Sequence, residues 1–158
     1  AHQQRHMEGL REEARLPHHP VVAQHLAMVA GDHHERPLQL AAARLHWPLQ
    51  HVATLSLHGR PAELILQLVT PGQRILALTT DRATAPHVAR LLTDRLYSRS
   101  IVTVLESLGS SDERIAMAQA ASFDLPIGDF YVLAVECLPE PGAPLLPPVP
   151  GLPDDAFV

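Results

Sequence analysis

Between residues 37 and 138 the chain changes its hydrophobic rhythm repeatedly, and no other feature limits its fold so strongly. "HVATLSLH", "RILALTT", "IVTVLESL" and "FYVLAVECL" are short, β-branched and apolar, as strands are. Helix-like segments separate them. "PLQLAAARLHW" places Leu38, Ala41, Ala42 and Leu45 on one stripe, and Trp47-Pro48 stops it. "PAELILQLV" has Pro61 at its first position and Glu63 in its first turn, and Thr70-Pro71-Gly72 ends it. "TAPHVARLLTDRLY" offers Thr84 as an N-cap. "SSDERIAMAQAASF" spaces Ser110 and Glu113 as a capping box does, which predicts a helix. Strands alternating with helices predict an α/β lobe with a mainly parallel or mixed sheet flanked by helices. Right-handed crossovers would gather the strand tips on one edge.

The flanks differ. Residues 1–36 are rich in His and Arg, with one apolar piece from Val21 to Ala30 before Gly31-Asp32. They read as an N-terminal arm or a remodelled remnant of another lobe. Residues 139–158 hold seven prolines, too many for a helix or an interior strand, and read as an extended arm or linker.

Composition excludes several functions. The formal charge is −5, against a general nucleic-acid binder, and all 12 cationic residues are arginine. Aromatic residues are 4%, too few for stacking platforms along a single strand. No apolar run approaches the ~20 residues of a spanning helix. The single cysteine, Cys137, excludes an internal disulfide and reads as a buried inert thiol, with a catalytic thiol as the lesser alternative. These features suit a cytoplasmic protein. His18-His19, His25 and His33-His34 match no metal template and read as part of a solvated arm, so no metal is expected. No GxSxG elbow, phosphate-binding P-loop or GxGxxG fingerprint occurs.

The strand tips remain as candidates. Strand one ends at Ser56-Leu57-His58-Gly59-Arg60, strand two at Thr79-Thr80-Asp81-Arg82, and strand three at Leu105-Glu106-Ser107-Leu108-Gly109. Ligands of open α/β sheets bind at carboxyl ends of strands. Gly59 would let backbone approach a ligand closely, and Arg60 and Arg82 suit carboxylates.

"LAAARLHWPLQHVATLSLHGRP", "RILALTTDRATAPHVARLL", "VTVLESLGSSDERI", "VLAVEC" and "PGAPLLPPVPGLPDDAFV" occur in an order that resembles the tetrapyrrole methylase family. These are class III S-adenosylmethionine-dependent methyltransferases, and the likeness is to members of the precorrin-6Y type in cobalamin biosynthesis. The resemblance implies a second lobe of that fold plus a remnant of the first. It implies S-adenosylmethionine as cofactor and a precorrin, a carboxylate-rich tetrapyrrole, as substrate. Thr79, Thr80 and Glu106 would then face the methyl donor. Gly31-Asp32 would stand for the family's Gly-Asp-Pro loop, although His33 follows here. His58, Gly59, Arg60 and Arg82 would serve the substrate, with His58 either touching it or capping its strand. The family's opening strand and glycine-rich loop have no counterpart, so the first lobe is expected to be deleted, replaced or remodelled. The chain is then a fragment, to be met as a homodimer or beside a fused or partner second methyltransferase domain. The alternative is a non-catalytic α/β binding or dimerisation module of the same descent.

Overall fold

In the computed structural model, which describes residues 32–147, a five-stranded mixed sheet organises the chain. The strands are β1 (Val52–Ser56), β2 (Arg74–Thr79), β3 (Ile101–Glu106), β4 (Arg114–Gln119) and β5 (Tyr131–Glu136), in the spatial order β1-β2-β5-β3-β4. β1 and β2 are parallel, and β5 is antiparallel to both β2 and β3. β1, β2 and β3 therefore all run the same way. β4 is antiparallel to β3 and forms an outer edge.

The sheet is covered on both faces because its central strands are apolar on both. Helix α1 (Asp32–Leu45) lays Leu38, Ala41 and Ala42 on Val52, Leu76, Leu105, Val132 and Ala134. Helix α2 (Thr84–Asp94) buries Ala85, Val88, Ala89 and Leu92 against Ile75, Ala77, Val102, Val104, Leu133 and Val135 on the other face. Small residues on α1 let its backbone approach the sheet closely.

The segment expected as a helix over 110–123 is instead a strand, β4, followed by a short 3-10 turn at Ala120–Ser122. Alanine, methionine and glutamine are good helix formers, but helix propensity yields to tertiary pairing, and the open edge of β3 offers six paired positions. Ser110 and Glu113 do not form a capping box. The Ser110 hydroxyl donates to Ser107 O (2.8 Å), and Glu113 accepts from the Gly109 amide (2.8 Å), which shapes the β3–β4 turn.

Other boundaries shift for local reasons. Thr84 is the first residue of α2 and not its cap; the Asp81 carboxylate accepts the Ala83 amide instead (2.8 Å). The segment after Pro61 winds as a 3-10 helix (Ala62–Leu68), with Pro61 one position ahead of it. α1 begins at Asp32, ahead of Pro37, so it runs across the boundary expected at residue 36. The strand expected over 130–138 is β5, antiparallel and central. Cys137 is buried, and the start of the proline-rich segment packs down: Ala143 is buried, and the Tyr97 hydroxyl donates to Pro144 O (2.6 Å). Gly31, His18, His19, His25 and the apolar piece Val21 to Ala30 lie outside the described residues. So do the side chains of Asp32, His33 and His34.

Candidate functional site

Because β1, β2 and β3 share a direction, their carboxyl ends meet on one edge, and antiparallel β5 begins on that same edge. A cleft of about 590 Å³ opens there, between the strand tips and the first turns of α1. Its size falls within the ~300–1,000 Å³ of small-molecule sites. Arg36, Pro37 and Leu40 of α1 line one side, and His58, Thr80, Ser107, Leu108 and Phe130 contribute from the tips. Leu78, Leu105 and Val132 form part of the apolar wall. Among the described residues, the lining carries one guanidinium, one imidazole, several hydroxyls and no carboxylate.

Each tip is fixed by hydrogen bonds. The Leu57 amide donates to Leu78 O (2.9 Å), which extends the β1–β2 pairing past Ser56. His58 Nδ1 lies 2.8 Å from Thr80 Oγ1, so the first two tips are tied side chain to side chain. The Thr79 hydroxyl is buried and donates to Tyr131 O (3.3 Å). The Tyr131 hydroxyl donates to Asp81 O and accepts the Ala85 amide, both at 2.9 Å. Burial, foremost, pushes this phenol above its ordinary range, so it is a neutral structural group.

α1 is locked to the far side of the cleft. Arg44 donates from two nitrogens to Glu113 (2.8 and 3.1 Å), on the β3–β4 turn. The Arg44 guanidinium, then the Gly109 amide, hold the Glu113 carboxyl below the usual range.

The structure brings together three residues expected at the site from the strand tips: His58, Thr79 and Thr80 line the cleft. Four others stand outside its lining. Gly59 has φ +63°, which the turn requires, and a Cβ placed there would meet no atom of the chain within 4 Å. Arg60 closes that turn, its amide donating to Leu57 O and its guanidinium to Ser56 O. Arg82 is engaged with Asp129 through its amide (3.0 Å) and its guanidinium (3.1 Å). Glu106 accepts the Gly128 amide and Arg114 Nε, both at 2.7 Å. Burial pushes the Glu106 carboxyl up, and the Gly128 amide and Arg114 outweigh it, so the group stays ionised. Of Gly31-Asp32, only the backbone of Asp32 is described, at the start of α1.

Sequence reasoning missed Arg36, Leu40, Phe130 and Tyr131. Reading 110–123 as a helix implied a parallel return to β5, which would place Phe130 and Tyr131 at the opposite edge. "RIAMAQ" has no apolar/polar alternation, so it carried no strand signal.

No family model matches the chain. Over 121 residues it is 40% identical to a precorrin-6Y C(5,15)-methyltransferase (decarboxylating) of a Sinorhizobium species, covering 76% of this chain and 29% of that protein. The chain is homologous to a segment of the precorrin-6Y methyltransferases. The enzyme of that name from Mycobacterium tuberculosis is 32% identical over 112 residues, covering 68% of this chain and 28% of the relative. The chain thus spans less than a third of the length of the curated relatives it matches. Two solved structures are similar. The cobalamin biosynthesis precorrin-6Y methylase of Archaeoglobus fulgidus is 28% identical, with TM-score 0.42, covering 63% of this chain and 44% of that one. The methyltransferase CobJ is 12% identical, with TM-score 0.49, covering 63% and 47%. Both TM-scores lie below 0.5, too low to add to the sequence match.

Proposed function

We propose that this chain forms one side of an S-adenosylmethionine-dependent methyltransferase site for a precorrin, with the strand-tip cleft as the place where donor and substrate meet. The observation that carries this reading is the cleft itself. Three strand ends and the start of β5 converge on it, and its lining mixes aliphatic side chains with the hydroxyls of Thr79, Thr80 and Ser107. That chemistry fits a nucleoside thioether: apolar surface for the ring and chain, hydroxyls for its heteroatoms. Arg36 and His58 suit carboxylates, which both donor and tetrapyrrole carry.

When bound, S-adenosylmethionine supplies an electrophilic methyl group for in-line displacement. The residues of this chain contribute positioning and exclusion of water. Leu78, Leu105 and Val132 keep part of the cleft dry. Thr80 and His58 fix each other and so hold two tips in register.

Calorimetric titration with S-adenosylhomocysteine tests the proposal. Micromolar binding is expected, and Thr80→Val should weaken it by about 2- to 12-fold, the worth of one hydrogen bond. Absence of heat at millimolar ligand would contradict it. The second reading, a binding or dimerisation module, draws on β4, an edge strand whose Ile115 and Met117 are 39% and 61% exposed. A stable dimer by sedimentation together with no donor binding would favour that reading.

A further inference from the structure

Phe130 is an aromatic residue in an unfavourable place. It is 72% exposed, lines the mouth of the cleft and has φ +62°, in the left-handed region that side chains with a Cβ adopt at a cost. It directly precedes β5, the strand that lies between β2 and β3. Burial does not hold it there. The two residues before it do. Asp129 is gripped by the amide and guanidinium of Arg82, at the tip of β2, and the Gly128 amide is gripped by Glu106, the last residue of β3. Arg114 of β4 donates to the same Glu106 carboxylate and to Pro126 O (3.2 Å), which fixes the start of the loop. A short loop tied at three points holds one exposed ring on strained backbone at the rim of a cleft. An exposed phenyl ring contributes little to the fold, so the strain and the ties need another reason.

We infer that Phe130 meets the flat face of a conjugated ring held at the mouth of the cleft, and that Arg82 and Glu106 act through the 126–130 loop as positioning residues for it. The inference deepens the proposed function and rests on it. It also gives Arg82 and Glu106 a part without direct ligand contact, although both stand at strand tips. A phenyl ring offers face and edge to a π-system and no hydrogen bond, so the ligand class is a planar, conjugated ring. Two sources carry that chemistry, the adenine of the methyl donor and the tetrapyrrole itself.

The test uses the full chain with two probes, S-adenosylhomocysteine and a water-soluble octacarboxylate porphyrin, each titrated by calorimetry or fluorescence. Phe130→Gly removes the ring and the strained Cβ together, so its melting temperature should equal or exceed that of the unaltered chain. Its affinity for at least one probe should fall about tenfold, within the range of ring-on-aromatic stacking, and Phe130→Trp should restore it. The probe affected identifies the ring. Arg82→Gln should weaken the same probe, and it should add nothing in the Phe130→Gly background, because it acts through the loop. Unchanged affinity of Phe130→Gly for both probes overturns the inference while leaving the proposed function standing. If the unaltered chain binds neither probe, both fall. A full additional loss from Arg82→Gln in the Phe130→Gly background would overturn its positioning role and assign it direct contact.

Discussion

At the scale of single residues, burial decides which groups are chemical and which are structural. Cys137 sits behind β5, and burial, opposed by a hydrogen bond from the Thr70 backbone, pushes its thiol up to about 12. A thiol with a pKa raised that far has a thiolate fraction at neutral pH on the order of a thousandfold below that of a free cysteine. The native protein should therefore resist a maleimide or disulfide reagent at pH 8 and react promptly once unfolded in guanidinium. Prompt labelling in the native state would contradict the buried placement. The inert reading of Cys137 was legible in the sequence because "VLAVECL" leaves a thiol no polar company. The partners of Arg82 and Glu106 were not legible. Asp129 and Gly128 are distant in sequence, and only the antiparallel course of β5 brings them to the same edge. An arginine chosen as a carboxylate binder can be satisfied by the protein's own carboxylates, and here Arg82 is.

At the scale of elements, β5 and β4 show the two extremes of strand stability. β5 pairs on both sides and is buried over Tyr131 to Val135. β4 pairs on one side only and alternates between exposed and half-buried residues. Leu133→Ala should cost about 2–5 kcal/mol in a denaturant melt, the usual range for a buried leucine. Met117→Ala, on the open face of β4, should cost no more than about 0.5 kcal/mol. Equal costs would contradict the assigned topology. Four of the five strands were readable because β-branched apolar runs bounded by turn residues are a strong signal. β4 was not, since Ala116, Met117, Ala118 and Gln119 fit a helix as well, and its strand conformation comes from the free edge of β3. The 3-10 winding of Ala62–Leu68 was equally hidden, because an apolar run carries no mark of how tightly it coils.

At the scale of the whole molecule, topology places the site. Three parallel strands end together, a fourth enters against them, and α1, locked by Arg44 to Glu113, closes one side. The result is a cleft whose lining, among the described residues, holds no carboxylate, although the chain as a whole carries a formal charge of −5. Three acidic residues near that edge are ion-paired: Glu106 with Arg114, Glu113 with Arg44 and Asp129 with Arg82. Among the described residues, no helix is long and apolar enough to cross a membrane. The resemblance across "SLHGRP" and "GLPDDAF" pointed to a methyltransferase lineage, and the identity to the precorrin-6Y enzymes supports it. The central claim is that the ligand site lies in this strand-tip cleft. Amide chemical-shift mapping with S-adenosylhomocysteine tests it most directly. Saturable shifts should cluster on His58, Thr79, Thr80, Ser107, Leu108 and Phe130 and spare β4 and the outer face of α2. Shifts centred on β4, or none at millimolar ligand, would contradict the account.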